Sequence, residues 1–132
     1  MSSESEQVAR GVLAELEERL ASKDRDRILE QWTEDAVLIG DATENFTREE
    51  TVAYLTTMAE MAPTVRWQWE HVAVILSAPQ VLVFAAVGAM GFYDPDGSPM
   101  GDTEHFRTTC LAVEDQGGWR LRHFHGSEPQ DD

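Results

Sequence analysis

Four basic side chains near the C-terminus have the types and spacing to hold a small polar or anionic group. They are His105, Arg107, His123 and His125. On a β-strand, side chains two apart share a face. Such pairing joins Thr103, His105, Arg107, Thr109 and Leu111 on one strand, and Trp119, Leu121, His123 and His125 on the next. The second set carries two large apolar groups and reads as the inner face. Imidazole and guanidinium are costly to bury without partners, so their presence in an inner lining points to a ligand anchor. Whether the two sets share one side of the sheet stays open at this level.

Each residue has a bland alternative. Arg107 can equally form an ion pair with Glu104 or a helix carboxylate, and His125 and His123 can be structural. His71, beside Glu70, reads as a surface pair. His125 and Asp41 are the candidates for acid–base catalysis, which needs an imidazole or carboxylate whose pKa desolvation has moved toward neutrality. Asp35 and Asp41 flank the first strand and read otherwise as loop or cap residues. Tyr54, Trp32, Trp69, Met58 and Phe84 are the candidate pocket walls, although large apolar residues are core by default. His105, His123 and His125 supply three nitrogens, but no HExxH or two-histidine-plus-carboxylate spacing accompanies them, so no metal is expected. Phosphate-binding loops, nucleotide fingerprints and serine nucleophile elbows are absent, and no cofactor is expected.

The elements that must position these residues fall into two halves. Val8, Val12, Leu13, Leu16 and Leu20 recur at helical spacing, with Glu15 and Arg19 paired outside. Asp24 caps a short second helix whose buried stripe is Ile28, Leu29 and Trp32. A strand over 36–40 follows, and Thr47-Arg48-Glu49-Glu50 is a capping box for a third helix stopped by Pro63. The second half predicts four long strands, over 65–77, 81–93, 102–114 and 119–126, joined by short turns. Short links between consecutive strands imply an antiparallel meander. Helices first and a meander after is an α+β class, not an alternating one. One domain over 7–128 with polar tails at 1–6 and 129–132 fits the length of 132 residues.

Along Val81–Tyr93 both alternating sets are apolar, so both faces of that strand should be dry. Helices cover one, and a second copy of the chain covers the other in the expected homodimer through the sheet. The charge, −15 from 10 Lys+Arg and 25 Asp+Glu, repels phosphate backbones and anionic membranes, which argues against nucleic-acid and membrane partners. The acidic start is unlike a signal peptide, and the longest apolar run falls short of the ~20 residues a membrane helix needs, so a cytoplasmic location is expected. Cys110, the single cysteine, excludes an intrachain disulfide and reads as a core residue.

This layout resembles the nuclear transport factor 2-like superfamily, a cone-shaped cystatin-like fold. The run Gly118-Trp119-Arg120-Leu121-Arg122-His123-Phe124-His125-Gly126-Ser127 is similar to the ending of SnoaL-like domains and of the association domain of calmodulin-dependent kinases. Glu104-His105-Phe106-Arg107-Thr108 resembles their arginine-bearing strand, and Trp32-Thr33-Glu34-Asp35-Ala36-Val37 their first half. The resemblance implies a pocket between helices and concave sheet, with Arg107 matching the arginine that holds anions and His125 the histidine of the ending. Association domains carry another arginine where this chain reads Phe84-Ala85-Ala86-Val87-Gly88, which implies a more apolar pocket and a weaker anion site. Members include cofactor-free isomerases, cyclases and dehydratases. The expectation is therefore a protein that binds a small apolar or weakly acidic organic molecule at Arg107, with acid–base turnover an option. The alternative is a non-catalytic oligomerisation or ligand-binding module. The ligand reading requires an unfilled hollow with Arg107 facing into it; a solid interior or an outward Arg107 sinks that ligand-binding reading and leaves the fold assignment alone.

Overall fold

The computed structural model describes residues 3–40, 43–61 and 63–129. Three helices, two of them ahead of the first strand and the third between β2 and β3, cover one face of a curved six-stranded sheet. The elements are α1 (Glu4–Ser22), α2 (Arg25–Glu30), β1 (Trp32–Ile39), β2 (Glu44–Asn45), α3 (Arg48–Met61), β3 (Thr64–Ala78), β4 (Val81–Tyr93), β5 (Glu104–Asp115) and β6 (Gly118–Ser127). The sheet order is β2-β1-β6-β5-β4-β3. β3 to β6 form the expected antiparallel meander, while β1 lies parallel to β6.

The helices start where their sequences say they should. Ser3 caps α1 by accepting the Glu6 amide, so the helix begins inside the segment read as a tail. Asp24 accepts the Asp26 and Arg27 amides at α2. At α3 the capping box closes both ways: the Thr47 hydroxyl accepts the Glu50 amide at 3.1 Å, and Glu50 Oε1 accepts the Thr47 amide at 3.1 Å. The amides of Phe46 and Thr47 hold the Glu50 carboxyl below its ordinary range. Trp32 is not the end of α2's stripe but the first residue of β1. It still points into the core, at 2% exposure.

Two long-range bonds brace the helix layer, one to the sheet and one between α1 and the end of α2. Glu17 accepts the Trp67 amide at 2.6 Å, joining α1 to β3, and Gln31 donates to the Val12 carbonyl at 3.1 Å. The core between the layers is built from Leu13, Leu16 and Ile28 below and Leu82, Phe84, Cys110, Ala112 and Leu121 above. Phe84 and Cys110 are wholly enclosed, and burial pushes the Cys110 thiol up to about 12.

Bulges bend the sheet. β3 shifts register between Trp69 and His71 and again between Val74 and Leu76. Where the first shift occurs, Gly88 of β4 lies so near that an added Cβ would meet the Gln68 carbonyl oxygen at 2.1 Å, so only glycine fits. β6 carries a third bulge. Leu111 pairs with His123 and Ala112 with Leu121, which leaves Arg122 as the extra residue.

Candidate functional site

The bulge at Arg122 decides which side chains reach the concave face. Before it, Leu121 points inward; after it, Phe124 and Gly126 do, an odd separation that only an inserted residue permits. His123 and His125 therefore face outward. On β5 the inward set is Phe106, Thr108, Cys110 and Ala112, all buried, whereas His105, Arg107 and Thr109 are exposed. The two basic sets do share a side of the sheet, but it is the outer one.

This overturns the expected anchor. Arg107, His105, His123 and His125 do not line the cone, and the Arg107-anchored ligand site is withdrawn. Arg107 makes no ion pair with Glu104 or with a helix carboxylate among the described residues. With Thr109, His125 and Ser127 it borders a shallow depression against Ala85 and Val87. His123 is structural: its Nδ1 lies 2.9 Å from the Val37 carbonyl. Beside it Arg122 pairs with Asp35 at 3.2 Å. The Thr33 hydroxyl and then Arg122 hold the Asp35 carboxyl below its usual value. Asp41, the other catalytic candidate, lies outside the described residues. Among the described residues no group of histidine, cysteine or carboxylate side chains comes together to hold a metal.

The required hollow, in contrast, exists. A cavity of about 230 Å³ lies between α1, α3 and the concave face. Of the five expected wall residues, Trp32, Tyr54 and Met58 line it. Trp69 and Phe84 do not: Trp69 stacks against Trp67 at 5.8 Å between centroids, and Phe84 is sealed in the core. The walls missed at the sequence level include Trp67, Phe92, Phe106, Phe124 and Glu128. For Phe106 and Phe124 a signal was present. Each is the bulky apolar neighbour of a charged or imidazole residue, and apolar residues take the inner face.

The cavity sits at the end of the sheet where β3 and β5 begin and β1, β4 and β6 finish. Parallel pairing of Ile39 with His125 puts Gly40 beside Gly126 there. The Tyr54 hydroxyl reaches this end, 3.5 Å from where a Gly40 Cβ would stand. Burial raises the Tyr54 pKa against the opposing effect of a hydrogen bond with the Thr43 side chain, so the phenol is neutral at physiological pH. Glycine is needed at 126, since a Cβ would strike the Phe106 ring at 2.6 Å. Trp32 and Trp67 keep buried indole N–H groups without a hydrogen-bond partner among the described residues. Unmade buried bonds are a stability cost.

A family model for the SnoaL-like domain matches residues 10–131. The chain belongs to the SnoaL-like domain family. Solved structures agree with the fold of this SnoaL-like domain. A proposed calcium/calmodulin-dependent protein kinase II association domain from Xanthomonas campestris superposes with a TM-score of 0.78 at 17% identity, covering 94% of this chain and 87% of that one. A Streptomyces avermitilis protein of the nuclear transport factor 2-like family, named for a proposed dehydratase role, gives 0.78 at 11% identity and covers 96% of each. A Caulobacter vibrioides protein with a cystatin-like fold gives 0.74 at 20% identity, covering 98% of this chain and 93% of that one. At these identities the likeness shows the fold alone. No curated protein matches the sequence significantly. No helix among the described residues is long and apolar enough to cross a membrane.

Proposed function

We propose that this SnoaL-like domain binds a small, largely apolar molecule inside the cone. The observation that carries this reading is the unfilled cavity of about 230 Å³ within an otherwise close-packed core. An apolar cavity of ~150 Å³ suffices for a benzene ring, so this one suits a body of about ten non-hydrogen atoms. A module built only for assembly has no use for such a hollow, and the open cone favours ligand binding over that alternative. Turnover by acid–base chemistry requires a titratable group at the cavity. Among the described residues Tyr54 and Glu128 are the ionisable side chains that line it. The proposed dehydratase role of the Streptomyces protein fits such chemistry.

Titration of a neutral bicyclic aromatic, followed by tryptophan fluorescence from Trp32 and Trp67 in the wall, tests the reading. Binding should appear in the wild type and disappear in Met58→Trp, which fills the cavity. Absence of binding in the wild type, or binding unaffected by that substitution, sinks the proposal.

A second copy covering the outer face completes the proposed assembly. Val81, Val83, Ala85, Val87 and Ala89 of β4 remain partly exposed there, an apolar stripe with no helix over it. Light scattering should give a dimer for the wild type and a monomer for Val87→Glu; a wild-type monomer excludes this assembly.

A further inference from the structure

The cavity wall is mostly hydrocarbon, so its few polar groups decide what a ligand must carry. No cationic side chain lines it among the described residues, and Glu128 has an interaction of its own. Neither sign of ligand charge therefore meets an uncommitted counter-ion, and an unpaired ion is costly to enclose. Trp32 and Trp67 contribute buried indole nitrogens, which donate and never accept. Tyr54 is the remaining polar side chain of the lining.

A chain of hydrogen bonds that begins at β2 orients the Tyr54 hydroxyl. Asn45 Nδ2 donates to the Leu38 carbonyl at 3.2 Å, which fixes the amide orientation, and to Thr43 Oγ1 at 3.4 Å. Having accepted that hydrogen, the Thr43 hydroxyl has its own proton to give to the Tyr54 oxygen, its hydrogen-bond partner. The phenol proton is then turned away from Thr43, and no acceptor meets it among the described residues. A Cβ at Gly40 would stand 3.5 Å from both the Thr43 and the Tyr54 oxygens. The absent side chain leaves a gap beside the hydroxyl, and Gly40 itself lines the cavity.

We infer that the cavity takes a neutral molecule with a carbonyl group, whose oxygen accepts the Tyr54 hydroxyl hydrogen while its apolar body lies among the rings. This inference rests on the cavity being the ligand site. A carbonyl presents an acceptor and no hydrogen of its own, which matches a lining whose uncommitted polar hydrogens are donors. A ligand hydroxyl would bring a further hydrogen, and the side-chain acceptors of the lining, Tyr54 and Glu128, are already engaged. Buried without a partner, that hydrogen is a cost. A pure hydrocarbon fills the space and leaves the phenol proton unmatched. Burial keeps the proton on Tyr54 at physiological pH, so the group stays a donor.

Three bicyclic probes of one shape, each of about ten non-hydrogen atoms, separate the hydrogen bond from fit. They are 1-indanone, 1-methyleneindane (a methylene in place of the oxygen) and 1-indanol, titrated calorimetrically into the full chain at pH 7. Tyr54→Phe should weaken 1-indanone about five- to tenfold and leave 1-methyleneindane within about twofold. Retained binding of the hydrocarbon also shows that the variant folds with its cavity intact. In the wild type 1-indanol should bind more weakly than the ketone. The infrared carbonyl stretch of bound 1-indanone should lie below its frequency in hexane, and Tyr54→Phe should return it. A ketone affinity or carbonyl frequency that Tyr54→Phe leaves unchanged overturns the inference, as does an alcohol that binds more tightly than the ketone. Hydrocarbon binding that Met58→Trp abolishes, with no effect of Tyr54→Phe on the ketone, overturns this inference and leaves the cavity reading standing. If none of the three binds, both fall.

Discussion

The two faces of the one sheet have opposite chemistry. The concave face carries Phe84, Phe106, Cys110, Ala112, Leu121 and Phe124, buried under the helices. The convex face carries all four histidines of the chain, at His71, His105, His123 and His125, together with Arg107. Adjacent residues in β5 and β6 alternate between these worlds. The difference teaches that composition of a strand says little about a site until the register is known. The basic residues that drew attention by their chemistry are on the surface, and the plain apolar residues between them enclose the cavity.

Substitutions on each face should reveal this asymmetry. Phe84→Ala removes a fully enclosed ring from the concave side and should destabilise the fold by about 3–5 kcal/mol in chemical denaturation. Loss under about 1 kcal/mol would mean the core is looser than its packing indicates. Cys110, next to it across the ladder, gives a pH readout. Its thiol is raised from 9.0 to about 12 by burial. The unfolded chain therefore loses this proton first. The neutral thiol's contribution should be complete below pH 9.0 and be lost as pH rises toward about 12. Cys110→Ala should flatten that decline, and a native chain whose thiol reacts freely at pH 8 would contradict the burial.

Gly126→Val, also on the concave side, forces the Phe106 ring aside and should cost about 1–3 kcal/mol while reshaping the cavity. Thr47→Ala removes one half of the α3 capping box, away from either face, and should cost about 1 kcal/mol in the same assay. Arg107→Ala on the convex side should change monomer stability by no more than about 0.5 kcal/mol and leave cavity binding intact. A large effect of Arg107→Ala on ligand affinity would erase the distinction between the faces.

The α+β layout, the three helices, the capping box and the four-strand meander were legible because they rest on local signals: periodicity, caps and turn residues. β4 was read to its exact ends, since turn residues bound it on both sides. Tyr54, Trp32 and Met58 were legible as walls, being large apolar residues on the helices and the first strand that face the sheet. The misplaced basic residues have two causes, one on each strand. A period-two count through β6 assumes an unbroken ladder, and the bulge at Arg122 shifts everything after it by one. Leu121 and Phe124, apolar and three apart, were the trace of that bulge in the sequence. On β5 the alternation was regular, but the set chosen for its chemistry was the charged one, against the apolar preference of a covered face. The two-residue β2 carries no periodicity from which it could have been read.

The extra residue in β6 acts as a parity setting for the interior. Were Arg122 to take a regular place in the ladder instead of bulging from it, His123 and His125 would turn to the inside while Phe124 moved out to water. The same cone would then enclose imidazoles in place of hydrocarbon. In a scaffold of this kind the polarity of the enclosed space turns on whether one residue is looped out of the ladder, without exchanging a single amino acid for another.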